Sequence, residues 1–332
     1  MGLNPSSVSR VAVRATNWLG DAVMSLPALR AVRDIFPHAH LAVVARPAVA
    51  GIYARESSVD EVVVYSGGRS DCAAQLRSKH FDAAILFQNA FDAALLTWLA
   101  GIPERIGYRR DGRGLLLTRA VSVPEPGEIP RHERFYYLEL LRRAGLMERF
   151  PECDAIRLDG IEAAREAGRA RLAALGIDGP VIGISPGAAY GGAKRYEQFA
   201  EVGRALSPGN FLIFGAPSEQ ELCSAVAGQI PGARNLAGQT SLTEFIELAA
   251  ACRVFVTNDS GAMHVASALG VPTVTVFGAT DDTTTGPTGP LARIVREHAE
   301  CSPCLLRECP IDHRCMTRIS PERVAAAVRE FL

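Results

Sequence analysis

The chain has 332 residues and a formal net charge of −1, so no global field draws it to nucleic acid or to an acidic membrane surface. Apolar residues make up 48% and charged residues 21%, the balance of a soluble globular protein, and no apolar run is long enough to span a bilayer. The length favours two domains over one core. The opening stretch MGLNPSSVSR lacks the apolar core of a signal peptide, so a cytoplasmic enzyme is expected.

Strand-like and helix-like patterns alternate along the chain. VAVRA (11–15), LAVVA (41–45), EVVVY (61–65) and AAILF (83–87) read as strands. Val23, Leu26, Leu29 and Val32 recur at spacings that line one helix face. Continuous Val/Ile/Leu runs predict strands covered on both faces, as in a parallel sheet. VIGIS (181–185), NFLIF (210–214), RVFVT (253–257) and PTVTVF (272–277) repeat the rhythm, with helical segments near 195–206, 217–228, 242–251 and 261–269. GIDGP (176–180) follows an Ala/Arg/Glu-rich helical stretch at 161–175, and its Gly and Pro predict a boundary. The expected organisation is a doubly wound α/β domain over 1–176, a second over 177–320, and a last helix, 321–332, that returns to brace the first. Open α/β sheets bind ligands at the carboxyl ends of their strands, so a cleft between two such domains is the expected site.

Four places carry residues suited to chemistry. In NWLGD (17–21), Asp21 lies where the first strand becomes the first helix. An acid there caps the helix and meets the positive end of its dipole, or serves as a general base, with Gly20 allowing close approach of a substrate. The second is VIGISPGAAYGGAKRY (181–196). Its G-I-S-P-G matches a serine-hydrolase elbow in letters only, because the residue after Ser185 is Pro186, which has no N–H for an oxyanion. It reads better as a glycine-rich anion loop, with Lys194 either a point charge for phosphate or a solvated surface lysine. Gly187, Gly191 and Gly192 lack the dinucleotide-binding spacing, which counts against a dehydrogenase.

The third place is VTNDSGAMHVASALG (256–270), where Asn258, Asp259 and Ser260 stand before a helix that follows Gly261. Exposed N–H groups and a favourable dipole make an anion site, within reach of His264; plain capping is the alternative. Asp259 would then hold Lys194, a sugar hydroxyl or the loop. The fourth is CSPCLLRECPIDHRCM (301–316), with Cys301, Cys304, Cys309 and Cys315 at C-x2-C-x4-C-x5-C spacing and His313 nearby. Tetrahedral zinc in a structural site, free thiols and disulfides all remain open for it. The other four cysteines are scattered and read as buried thiols.

Taken together and in this order, RATNWLGDAVMSLPALRAVR, GIPERIGYRRDGRGLLLT, SPGAAYGGAKRY, NLAGQTSL and VTNDSGAMHVASALGVP resemble the lipopolysaccharide heptosyltransferases of glycosyltransferase family 9. The resemblance spans about 14 to 290. It implies a GT-B fold, two Rossmann-like domains facing a cleft. It implies inverting transfer of L-glycero-D-manno-heptose from ADP-heptose to the first heptose of the lipid A–Kdo inner core. A first- or third-heptose enzyme and a catalytically silent ADP-sugar binder are the alternatives.

By the same resemblance the catalytic carboxylate falls on Asp21 and the phosphate-binding lysine on Lys194. Ser185, Gly187, Asp259, Ser260, Gly261 and His264 surround the donor diphosphate, Glu219 meets the ribose, and Thr240 lies against adenine. Tyr196 stands where tryptophan is common, and its flat face would preserve stacking. No Asp-x-Asp pair sits near these motifs, so no cofactor is expected and protein charge holds the donor phosphates. An acceptor with Kdo carboxylates and phosphates calls for basic groups. Arg109, Arg110, Arg113, Arg131 and His132 are candidates, with Asn17, Trp18, Gln88 and Asn89 for sugar hydroxyls. An acceptor lipid in the inner leaflet implies peripheral contact with the inner membrane from the cytoplasmic side.

Overall fold

A computed structural model describes residues 3–332; Met1 and Gly2, the first residues of the stretch searched for a leader, lie outside it. The chain divides into two compact units, one ending at Cys153 and the other running from Asp154 to Leu332.

The first unit is built on six parallel strands: β1 (Arg10–Arg14), β2 (His40–Ala45), β3 (Glu61–Val64), β4 (Ala83–Leu86), β5 (Glu104–Tyr108) and β6 (Arg119–Val121). Their order is β3-β2-β1-β4-β5-β6. β1 and β4 lie at the centre, and every residue of β4 is buried. The chain leaves β1 in one direction and returns to its other side at β4, so the switch point of the sheet lies between these two carboxyl ends.

The second unit repeats the plan with β7 (Val181–Ser185), β8 (Asn210–Ile213), β9 (Ala233–Asn235), β10 (Val254–Asn258), β11 (Thr273–Phe277) and β12 (Ala292–Arg296). All pair in parallel, in the order β12-β11-β10-β7-β8-β9. β7, β10 and β11 are buried throughout, as covering helices on both faces require. The switch point here lies between β7 and β10.

Eight strands fall where the apolar runs predict them. β5, β6, β9 and β12 do not announce themselves. They read ERIGY, RAV, ARN and ARIVR, lie at or next to a sheet edge, and leave several charged side chains partly exposed. An edge strand covered on one side needs no continuous apolar run.

Two expectations about domain limits require correction. The helix Ile161–Ala174 belongs to the second unit, which moves the division from 176 back to Cys153–Asp154. It packs on the helix Leu242–Ala250 so closely that a Cβ on Gly168 would lie 1.9 Å from the Glu247 carbonyl oxygen. Arg171 adds ion pairs to Glu244 at 3.0 Å and Glu247 at 2.7 Å. The Gly-Pro stretch after this helix is a helix-to-strand turn within the unit, not a linker.

The final helix, Pro321–Arg329, is the second correction. Its small apolar face of Val324, Ala325 and Val328 is buried in the second unit's core with Phe199, Val202 and Val274. It therefore completes the second unit's core, whereas the expectation places it against the first.

Candidate active site

The carboxyl ends of β7, β10 and β11 bring the second unit's predicted residues together. Ser185 ends β7 and is buried. The chain then turns through Pro186 and Gly187 into a loop that ends at the short 3-10 turn Gly192–Lys194. Asn258, last residue of β10, fastens this loop. Its Nδ2 donates to the Pro186 carbonyl at 2.7 Å, and its Oδ1 accepts from the Tyr196 N–H at 2.9 Å. Asn258 is therefore a staple between two loops rather than a helix cap.

Lys194 Nζ donates to Asp259 Oδ2 at 2.6 Å, and Thr280 Oγ1, from the loop after β11, donates to the same oxygen at 2.6 Å. The Asp259 side chain is only 4% exposed, and that of Lys194 is 12% exposed. A buried carboxylate of this kind needs its partners. Asp259 thus fixes where the ammonium sits, while an ammonium has three N–H donors to share. The Lys194 ammonium also lies 4.7 Å from the Tyr190 ring centroid.

The helix Gly261–Ala268 starts beside this pair. Its N-cap, Ser260, makes no side-chain capping bond, and the Ser260 hydroxyl lies 3.2 Å from that of Thr257. The first-turn N–H groups and the positive helix end are thus aimed at the switch point. His264 is buried in the same helix.

Glu219 closes the 3-10 turn after β8, and its Oε2 accepts from the Ala216 N–H at 2.9 Å. A Cβ on Gly187 would lie 2.0 Å from Glu219 Oε1, so the glycine lets the loop and this carboxylate touch. Thr240 follows β9, one residue before Ser241, the N-cap of Leu242–Ala250. Tyr196 departs from expectation. It is buried, its hydroxyl donates to the Ile319 carbonyl at 3.0 Å, and its ring stands edge-on to Phe199, so it packs the core and offers no face for stacking.

The cysteine-rich segment takes a role its spacing did not suggest. Among the described residues no disulfide is formed, and no three His, Cys, Asp or Glu side chains are grouped as ligands for a metal ion. Cys301 is exposed while Cys315 is buried, and burial first, then Cys301, Cys304 and Cys309, raise the Cys315 thiol, so the four lie near one another without forming a ligand group. The segment instead buttresses the lysine loop. The Ala193 N–H donates to the Arg307 carbonyl at 2.9 Å, the Gly192 N–H donates to Glu308 Oε1 at 3.1 Å, and His313 Nε2 lies 2.9 Å from the Ala193 carbonyl. The Tyr190 hydroxyl donates to the Leu305 carbonyl at 2.7 Å. A Cβ on Gly191 would lie 2.3 Å from the Arg307 carbonyl oxygen, so glycine permits this contact.

In the first unit, Asp21 is the third residue of the helix Leu19–Met24, just past the carboxyl end of β1. The first turn favours its negative charge. The preceding residue, Trp18, is 59% exposed and supplies no side-chain cap. Burial, and then the Asp21 charge, raises the Tyr137 hydroxyl well above its usual range. Glu133 feels the same two influences: burial first and Asp21 second push its carboxyl up to about 7, against the pull of Arg110.

Gln88 and Asn89 follow β4 on the other side of the switch point. Arg113 is fully buried, a correction to its expected place among surface groups for the acceptor. Its Nε donates to the Tyr108 carbonyl at 2.8 Å, its Nη2 donates to Asn89 Oδ1 at 3.0 Å, and its Nη1 donates to the Gln88 carbonyl. Burial lowers its pKa to about 10. It holds the Gln88–Asn89 loop in shape. Asn89 Nδ2 donates in turn to the Tyr136 hydroxyl at 2.9 Å. Arg109, Arg110 and Arg131 are exposed, and half-buried His132 accepts the Arg134 N–H on Nδ1 at 3.2 Å. Asn17 accepts Arg14 Nη2 on its Oδ1 at 2.9 Å.

The sequence profile of Glycosyltransferase family 9 (heptosyltransferase) matches residues 69–314. The chain belongs to glycosyltransferase family 9. Among relatives of this family, it is 30% identical to lipopolysaccharide heptosyltransferase 2 of Escherichia coli strain K12 over 307 residues, covering 86% of this chain and 88% of that one. It is 25% identical to lipooligosaccharide heptosyltransferase 2 of Campylobacter jejuni over 335 residues, covering 97% and 99%. The solved structure of E. coli ADP-heptose lipopolysaccharide heptosyltransferase II matches at a TM-score of 0.81 and 28% identity, over 97% of this chain and 98% of that one. A family 9 structure from Veillonella parvula, 21% identical, shares the fold at 0.83 over 99% and 98%. The two doubly wound units of this glycosyltransferase are thus of the GT-B class.

Proposed function

We propose that this protein transfers L-glycero-D-manno-heptose from ADP-heptose to the first heptose of the lipopolysaccharide inner core, with inversion at the anomeric carbon. The observation that carries the donor half of this reading is the Lys194–Asp259–Thr280 set at the switch point of the second unit. A fixed ammonium beside an uncapped helix start suits a diphosphate. Its neighbours Ser185, Gly187, Ser260, Gly261 and His264 then surround the phosphates, Glu219 meets the ribose, and Thr240 lies against adenine. Asp21 takes the proton of the acceptor hydroxyl. The hydroxyl oxygen forms its bond to the anomeric carbon as the bond to ADP breaks, and ADP leaves with that electron pair. Lys194 and the start of Gly261–Ala268 stabilise the growing charge on the leaving phosphate. No step calls for a metal ion.

Among the described residues, no helix is long and apolar enough to cross a membrane. The acceptor is a lipid, so the enzyme works in the cytoplasm at the surface of the inner membrane, with exposed Arg109, Arg110 and Trp18 on the acceptor-binding unit. The test is whether purified protein releases ADP from ADP-heptose only when an inner-core acceptor is present.

Glu133 gives this reading a pH dependence. Its raised carboxyl is neutral below about 7 and charged above it. A second negative charge near Asp21 makes Asp21 the stronger base. Turnover should therefore rise with pH through an inflection near 7, and Glu133→Gln should remove that inflection while leaving the enzyme active. The same shift acts on folding with the opposite sign. The carboxyl titrates higher in the folded chain than in the unfolded one, so stability falls as pH rises from about 4.5 to about 7. A pH–rate profile of wild type and variant, with thermal melts at the same pH values, checks both.

A further inference from the structure

The first unit holds a cavity of about 630 Å³ at the carboxyl ends of β1, β2, β3 and β4, lined by Arg14, Asn17, Arg46, Tyr65, Arg69 and Gln88, together with Asp92. Small-molecule pockets of this size are mostly apolar, whereas this one is walled by charges and amides. Arg69 is paired with Asp92, Nε to Oδ1 at 2.5 Å. That leaves the Arg14 and Arg46 guanidinium groups, neither of which has an ion-pair partner among the described residues.

The placement of these two cations is unusual. Both lie near the ring of Tyr65, Arg46 at 3.9 Å and Arg14 at 5.7 Å from its centroid. Arg14 is 2% exposed, and its Nε has no hydrogen-bond partner among the described residues. Its other donors reach the neutral Ala15 and Val44 carbonyls and Asn17 Oδ1. Burial first, and repulsion from Arg46 second, pull its pKa down. A buried guanidinium next to a second cation, with an idle donor and only the attraction of Asp92, itself paired with Arg69, is a costly arrangement in an empty protein. It is a favourable one beside an anion, because guanidinium forks match carboxylate and phosphate geometry. The helix Arg69–Ser78 also begins at the cavity, with Gly68 as an N-cap that brings no side-chain bond.

We propose that this cavity binds an acidic sugar unit of the acceptor, with its carboxylate or phosphate monoester held by Arg14 and Arg46 and its hydroxyls met by the Asn17 and Gln88 amides. The inference rests on the acceptor reading above and adds Arg14 and Arg46 to its residues. Two uncompensated positive charges suit a phosphate monoester or a carboxylate, and 630 Å³ holds a sugar rather than a bare ion.

The test uses Arg46→Gln, because Arg46 is only half-buried and makes no side-chain cap for the helix Pro47–Tyr53 that follows. Losing one charge-assisted contact should raise the acceptor KM by about tenfold or more and leave the ADP-heptose KM unchanged. With ADP saturating the donor site, inorganic phosphate should bind wild type and bind Arg46→Gln more weakly. Wild type is also compared on two altered acceptors, one with its Kdo carboxyls reduced and one dephosphorylated. A raised KM on the first identifies the carboxylate as the group bound; a raised KM on the second identifies the phosphate. Unchanged acceptor KM and phosphate binding in Arg46→Gln would overturn the inference. If wild type turns over no inner-core acceptor, the proposed function fails, and the phosphate titration alone still decides whether the cavity is an anion site.

Discussion

Asp21→Asn should leave ADP-heptose binding within about twofold of wild type and lower kcat by about 10²–10⁴-fold, the usual contribution of a positioned general base. The amide keeps the shape of the side chain but has no lone pair basic enough to take a hydroxyl proton. Asp21 lies in the first unit, whereas Lys194 and its partners all lie in the second, so the two roles separate cleanly by mutation. The variant should fold. The Asp21 charge in the first turn of Leu19–Met24 is worth about 0.3–1 kcal/mol. Titration with ADP-heptose, paired with single-turnover rates, checks both halves. A variant that turns over at the wild-type rate would remove Asp21 from the mechanism.

Lys194→Ala should weaken donor binding and turnover together, with kcat/KM falling by about 10²–10³-fold, the scale set by removing one preorganised group that stabilises developing charge. Asp259 is almost fully buried, and without Lys194 Thr280 is the one side chain among the described residues left bonded to it. Breaking a buried pair from one side costs about 3–5 kcal/mol, so the single variant will be less stable as well as less active. The double variant Lys194→Met with Asp259→Asn removes both charges and should recover most of the stability. It should stay as inactive as the single variant. Recovery of activity along with stability would mean that Lys194 matters to the fold and not to the phosphates.

Much of this site is legible in the sequence, for a physical reason. Central parallel strands are buried on both faces, so they appear as unbroken apolar runs, and the residues just past them stand at the carboxyl ends where ligands bind. Asp21, Gly187, Lys194 and Ser260 become candidates that way, and each follows a central strand. Edge strands such as ARN and RAV carry no such signal.

The other differences concern contacts between distant segments. Tyr196 follows the lysine as an aromatic at a binding loop would, and only packing against Phe199 and Ile319 reveals it as core. The four clustered cysteines have metal-like spacing, and nothing in that spacing marks the bonds from Arg307, Glu308 and His313 to residues 192–193. Gly-Pro punctuation at 179–180 marks a turn with the same letters as a linker. The arginine cavity draws on residues from 14 to 93, contributed by four strand ends, so no local pattern could have assembled it.

The central claim is the transfer of heptose to an inner core that already carries one heptose. The direct measurement is ADP release by purified protein supplied with ADP-heptose and, in parallel, Kdo-lipid A, heptosyl-Kdo-lipid A or no acceptor. The account predicts release with the heptosylated acceptor alone. Release with Kdo-lipid A alone would make the protein a first-heptose enzyme, and tight donor binding without release on any acceptor would contradict the account outright.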